Sequence, residues 1–281
     1  MARALSRRTL LAGATLALAG CGQAAIPLVT PTASPTGSAR AQLDASMAAL
    51  RQNTDKLGVA LRDLRSGVDY DFRADYASQS ASMAKVMLSV MALRGARAAG
   101  GEADFATRTH ISRALIDSDN DAADALWDAW GRRPAYDETA RALGLPPTTH
   151  PDDTRDFWSW TWTTPSDHRL LMHHLVTGTP ALVDGDRRYL LDVMGKTNPA
   201  QTWGVGNPRS RQVKVQLKNG WVQFQSTDNL WAVNSVGHVE GGGRDYVACF
   251  MCRVPSFDEG RALLDAIGAS VWDALGAGPL R

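Results

Sequence analysis

The sequence predicts an α+β fold of three layers: an antiparallel five-stranded sheet flanked by an N-terminal and a C-terminal helix, with an all-helical lobe inserted into the sheet. Three observations predict it. Two short β-rich runs lie early, in "GVALRDLRSGVDYDF" around Arg65-Ser66-Gly67, which reads as a hairpin. Three alternating or β-rich runs lie late, in "VKVQLKNGW", "LWAVNSVGHV" and "DYVACFMCRV". Between them, from about Ser82 to about Tyr189, apolar residues recur at helical spacing with Gly and Pro interruptions. A lone hairpin is only marginally stable, so the early pair and the late triplet are expected to join as one sheet. That assigns 39–75 and 211–281 to an α/β part and 76–210 to the lobe.

In chain order, residues 1–21 read as an export signal: Arg7 and Arg8, a short apolar run, then small residues before Cys21. The run from Leu10 to Gly20 is too short to span a bilayer. "SRRTLL" resembles a twin-arginine export motif. "LAGC" resembles a lipobox, which implies that Cys21 is lipidated and holds the mature chain at the extracytoplasmic membrane face. Residues 22–38, rich in Pro, Thr and Ser, read as a tether that does not pack on the folded part. In 39–281, Ser38 is placed to cap a helix carrying Leu43, Met47 and Leu50 on one face. At the other end Ser256 and Glu259 have capping-box spacing, ahead of a helix that stops at Gly276.

Composition narrows the function. The 281 residues are 44% hydrophobic and 21% charged with a net charge of +1, an ordinary globular balance without the basic surplus that nucleic acid demands. Neither a cofactor nor a metal site is expected, and a monomer is the simple reading. Cys249 and Cys252 form a C-x-x-C, but on a strand residues three apart point to opposite faces, so they read as buried unpaired thiols. His168, His173 and His174 share a predicted helix without a carboxylate partner and read as structural. Trp158, Trp160 and Trp162 alternate in one segment and either line a cleft or pack the loop on the lobe.

One lysine stands out. The chain has 30 basic residues but only five lysines, and one of them, Lys85, sits in an apolar run, three residues after Ser82. On a helix these two share a face, and a desolvated lysine has its proton affinity lowered, so it can act as the base for a serine nucleophile. Ser118-Asp119-Asn120 downstream reads either as a helix start or as a proton relay (Ser118) with an amide anchor (Asn120). Lys218-Asn219-Gly220-Trp221 ends the alternating strand. Lys218 is either a solvated edge lysine or a substrate ligand, and Gly220, without a Cβ, lets a substrate backbone approach the strand closely.

The order S-x-x-K, S-D-N, K-x-G, in this structural context, resembles serine β-lactamases of class A and the related penicillin-binding DD-peptidases. The resemblance implies that Ser82 is the acylated nucleophile, Lys85 its base, and Ser118 and Asn120 the relay and anchor. It further implies that Lys218 steadies a substrate carboxylate, that Asn219, Gly220 and Trp221 bind substrate, and that the Ser82 and Trp221 amides form an oxyanion hole. The implied substrate is a small molecule or peptide, β-lactam or cell-wall-like, cleaved at an amide or ester; a non-catalytic binding module and an esterase are the alternatives. Two positions depart from the family pattern: Asn219 replaces a Thr or Ser, and no glutamate lies between Leu145 and Thr164 to activate a deacylating water, leaving only Asp152, Asp153 and Asp156 as substitutes.

Overall fold

A computed structural model describes residues 28, 37–146, 156–207, 212–223 and 228–281. The export signal, Cys21, Asp152 and Asp153 lie outside the described residues. Of the expected tether, Leu28, Gly37 and Ser38 are described; Gly37 and Ser38 are exposed, and the departure from the expectation is at Leu28. It is half-buried against the apolar cluster beneath the sheet, because burying its side chain is favourable wherever the chain can reach that face.

Helix α1 (Ala39–Leu50) begins where Ser38 Oγ accepts the Ala41 amide hydrogen, and its buried Leu43, Met47 and Leu50 face the sheet. Strands β1 (Leu57–Asp63) and β2 (Val68–Phe72) form the expected hairpin. The chain then enters the lobe through β3 (Ser78–Gln79), followed by α2 (Ala84–Ala98), α3 (Phe105–Ile116), α4 (Asn120–Ala129) and α5 (Arg132–Ala142). Strand β4 (Trp162–Thr163), α6 (Pro165–Thr177) and α7 (Asp184–Met194) complete it. Strands β5 (Val213–Gln223), β6 (Trp231–Gly241) and β7 (Arg244–Val254) and helix α8 (Phe257–Gly276) close the chain, with Ser256 Oγ accepting the Glu259 amide hydrogen.

The sheet order is β2-β1-β7-β6-β5, antiparallel throughout. The early hairpin therefore joins the late meander through β1 and β7, in register from Leu57↔Cys252 to Asp63↔Tyr246. Helices α1 and α8 cover one face and the lobe covers the other, each over its own apolar cluster. Strand alternation divides the two thiols: Cys249 packs into the lobe-side cluster and Cys252 into the helix-side one, both free and buried.

One expectation needs correction. The stretch expected to be helical contains the two-stranded ladder β3–β4, with Ser78 opposite Thr163 and Gln79 opposite Trp162. Two residues per strand are too few to leave a periodic signal in sequence. This short ladder fixes the entry to Ser82.

Leu264 of α8 is fully buried between helix and sheet. Truncation to Ala leaves a cavity, and urea unfolding of Leu264→Ala is expected to show a loss of about 2–5 kcal/mol.

Candidate active site

The segment around Ser82 is held on three sides. The Ser80 amide donates to Thr161 O at 2.8 Å, the Ser80 and Thr161 hydroxyls meet at 2.5 Å, and Asn234 Nδ2 of β6 donates to Gln79 O at 2.9 Å. Between these anchors Ala81 adopts φ 48°, a left-handed conformation rare for a residue with a Cβ and sustained only where its surroundings enforce it. Ser82 follows, half-buried, in a 3-10 turn that runs directly into α2. Its amide therefore belongs to the set of free N–H groups at a helix start.

Lys85 lies one turn on and is fully buried. Its Nζ donates to Ser118 O at 2.6 Å, to Asn120 Oδ1 at 2.7 Å and to Ser118 Oγ at 3.3 Å. Ser118, at φ 60°, is also left-handed, and this turns both its carbonyl and its hydroxyl onto Lys85. The Ser-Asp-Asn triplet both starts a helix and contacts Lys85. Asp119 caps α4 through the Ala122 amide and pairs with Arg113, while Ser118 and Asn120 turn to the lysine.

The third element comes from the sheet edge. Lys218 is buried rather than solvated: its Nζ donates to Ser118 Oγ at 2.9 Å and to Asn219 O at 2.8 Å. Lys214, on the same face, stays exposed beside Glu240. The difference arises because α7 and the lobe cover the middle of β5; the intervening Gln216 donates to Leu191 O of α7. At Gly220 a Cβ would lie 2.8 Å from the Ser82 nitrogen and 2.7 Å from the Met83 nitrogen, so only glycine lets β5 press against the turn carrying Ser82.

Asn219 and Trp221 occupy the opposite face of β5. Asn219 Nδ2 donates to Gln201 O at 2.9 Å and Trp203 O at 3.2 Å, so its donors are committed to the 199–206 segment and do not reach Ser118 or Lys218. The Trp221 ring packs with Trp203 and Phe257. Ser82 Oγ itself has no hydrogen-bond partner among the described residues.

Burial depresses the proton affinity of both lysines. Desolvation brings Lys85 down to about 8, opposed by the charges of Asp119 and Asp124. Lys218 is pushed well down by desolvation and then by the Lys85 charge. Both amines thus move towards the neutral form that a base requires.

Sequence reasoning left two residues unassigned to this site, Trp158 and Asp124. The Trp158 ring centroid lies 4.8 Å from Lys85 Nζ, and its Nε1–H donates to Asp124 Oδ1 at 2.6 Å. Asp124 carries a readable signal, standing four residues after Asn120 on one helix face. Asp156 instead pairs with Arg132 at the surface. His168 is buried, which pushes its imidazole down to about 4; His173 lies against Arg62, and His174 reaches Leu143 O. Among the described residues no group of three His, Cys, Asp or Glu side chains gathers as a metal site.

The chain matches the model of the Beta-lactamase enzyme family over residues 102–275. The match takes in Ser118, Asn120 and Lys218 and begins after Ser82 and Lys85. Among solved structures, one similar to this chain is PBP-A, with a TM-score of 0.69 and 20% identity over 84% of this chain and 95% of that one. A class A β-lactamase from Bacteroides cellulosilyticus superposes with a TM-score of 0.70 at 16% identity, over 86% of this chain and 99% of that one. A β-lactamase from Sphaerobacter thermophilus gives 0.69 and 18%, over 83% and 96%. No curated protein matches.

Two predictions follow from the geometry. Gly220→Ala drives a methyl into the Ser82 and Met83 amides, and labelling of Ser82 by an active-site probe is expected to slow by about 10²-fold in a folded protein. Because Lys85 binds its proton less tightly folded than unfolded, the unfolded state holds more protons from about pH 8 to about pH 10.4, so stability rises with pH across that window. The Tm of Lys85→Met is expected to lack that part of the rise.

Proposed function

The chain belongs to the β-lactamase enzyme family and is a serine hydrolase, and from that premise we propose that it cleaves an amide or ester by acylating Ser82. The observation that carries this reading is the Ser118 hydroxyl, hydrogen-bonded to both Lys85 and Lys218 beside a strand whose Gly220 touches the Ser82 amide. A neutral Lys85 spends its two N–H bonds on Ser118 O and Asn120 Oδ1, leaving its lone pair for the proton of Ser82. Ser82 Oγ then bonds to the substrate carbonyl carbon. The amides of Ser82 and Trp221 receive the developing oxyanion. As the bond to the leaving nitrogen or oxygen breaks, the proton passes through Ser118 to that atom, and Lys218 steadies the Ser118 hydroxyl and the negative end of the substrate.

Deacylation is the slow step in this scheme. Among the described residues no carboxylate hydrogen-bonds to Lys85 or Ser82, and Asp156 is committed to Arg132. Asn219 supports a second reading, an esterase. With its amide donors committed to Gln201 and Trp203, it offers a substrate carboxylate no hydroxyl, and neutral acyl groups become acceptable.

We also propose that the chain is exported and anchored by lipid at Cys21, on the motifs of its first 21 residues. No described helix is long and apolar enough to cross a membrane, and lipidation supplies the anchor in this reading. Cys21→Ser is expected to move the protein from the membrane fraction to the soluble one.

The decisive experiment incubates the protein with a labelled penicillin and a labelled fluorophosphonate, beside Ser82→Ala, and reads adducts by mass spectrometry. One adduct on Ser82 with either probe is expected, absent from Ser82→Ala, with a rate that rises with pH through about 8 as Lys85 gives up its proton. Persistence of the penicillin adduct for hours is the outcome expected of slow deacylation. A folded protein that neither probe labels is a binding module instead.

A further inference from the structure

The geometry points to Trp158 and Asp124 as a positioning couple for the Lys85 amine: the indole face covers the amine beside its contacts to Ser118 and Asn120, and the carboxylate holds the indole there. The inference rests on the acyl-enzyme reading and deepens it by adding two residues outside the three motifs.

Trp158 is only 2% exposed. It sits in a 3-10 turn, Trp158–Trp160, in the segment where class A relatives place their catalytic glutamate by the resemblance given above. Its ring lies 4.8 Å from Lys85 Nζ, within cation–π range, and its one polar atom donates to Asp124 Oδ1 at 2.6 Å. Asn120 and Asp124, one helical turn apart on α4, therefore act on the same amine, the first directly and the second through the indole. The same turn is tied to the nucleophile. Thr161 Oγ1 donates to Trp158 O at 2.9 Å, and Thr161 O accepts the Ser80 amide at 2.8 Å, two residues before Ser82. A displacement of this turn thus reaches both partners of the acylation step.

The couple also bears on the proton. The charged groups facing Lys85 are Lys218 from β5 and Asp119 and Asp124 from α4; the turn carrying Trp158 contributes an aromatic face instead of a charge. The indole and Asp124 both favour the ammonium, against the desolvation that favours the amine. Asp124→Asn keeps an oxygen for the indole N–H and removes only the charge, so Lys85 gives up its proton more readily. Trp158→Phe keeps an aromatic face and removes the N–H that anchors it to α4. Trp158→Ala removes both.

Two readouts on the whole protein test this. The first is the rate of Ser82 labelling by a fluorophosphonate across pH. The second is an NMR titration of the lysine Cε resonances, tractable because the chain has five lysines, with Lys85 assigned through Lys85→Met. In Asp124→Asn both the Lys85 titration and the rising limb of the labelling rate are expected to move to lower pH. Trp158→Ala is expected to slow labelling on the alkaline plateau about tenfold, and Trp158→Phe about threefold, as the amine loses its fixed position. A folded Asp124→Asn whose Lys85 titration stays at the wild-type pH overturns the proposal, as does a folded Trp158→Phe with unchanged plateau labelling. A merely structural role for the pair lowers stability without moving the titration. If the wild type is never labelled, the acyl-enzyme reading fails, and the Lys85 titration of Asp124→Asn still decides the couple.

Discussion

One hydroxyl between two buried lysine amines governs this molecule. Ser118 Oγ lies 3.3 Å from Lys85 Nζ and 2.9 Å from Lys218 Nζ, which brings two buried amines within about 6 Å of each other. At an effective dielectric constant of about 20, that separation costs about 3 kcal/mol if both are charged, comparable to two pH units of proton affinity. Desolvation adds to the cost. The pair is therefore driven to release a proton, and the hydroxyl between them is the natural carrier. The three groups come from α2, from the turn before α4 and from the sheet edge, so the lobe and the sheet must dock correctly for the site to exist.

Backbone strain is concentrated at the same place. Ala81 and Ser118 both adopt left-handed conformations, the first next to Ser82 and the second at the contact between the two lysines. Such conformations persist only when the surroundings over-determine them. At Ala81 the β3–β4 ladder, the Ser80–Thr161 contacts and Asn234 do so; at Ser118 the two lysines and the Asp119 cap do so. Stability from those contacts is spent on pointing an amide, a hydroxyl and a carbonyl at one small volume. Preorganised dipoles of this kind stabilise developing charge without reorganising during the reaction.

The Trp158 indole covers the Lys85 amine, and Asp124, the carboxylate close to it, accepts the indole N–H. An aromatic ring can orient a cation but cannot take a proton.

Much of the architecture was legible because it rests on local rules. The hairpin around Gly67, the alternating late strands, the Ser38 and Ser256 caps and the opposed faces of Cys249 and Cys252 all follow from backbone geometry over a few residues. Strand alternation also held an unused signal. If Lys218 and Gly220 face Ser82, then Asn219 faces away, which is where its amide binds Gln201 and Trp203. The β3–β4 ladder left no periodic trace, and nothing near Trp158 in the chain announces that its ring lies over a lysine seventy-odd positions earlier.

By itself the sequence determined which residues carry reactive groups, their order and their faces, since side-chain chemistry and the periods of helix and strand are local properties. Only the tertiary structure decided that Lys218 is buried rather than solvated, that one hydroxyl contacts two lysines, and that an indole lies against the Lys85 amine. Those facts depend on desolvation and on distances between segments far apart in the chain, and both come into being only when the lobe closes on the sheet.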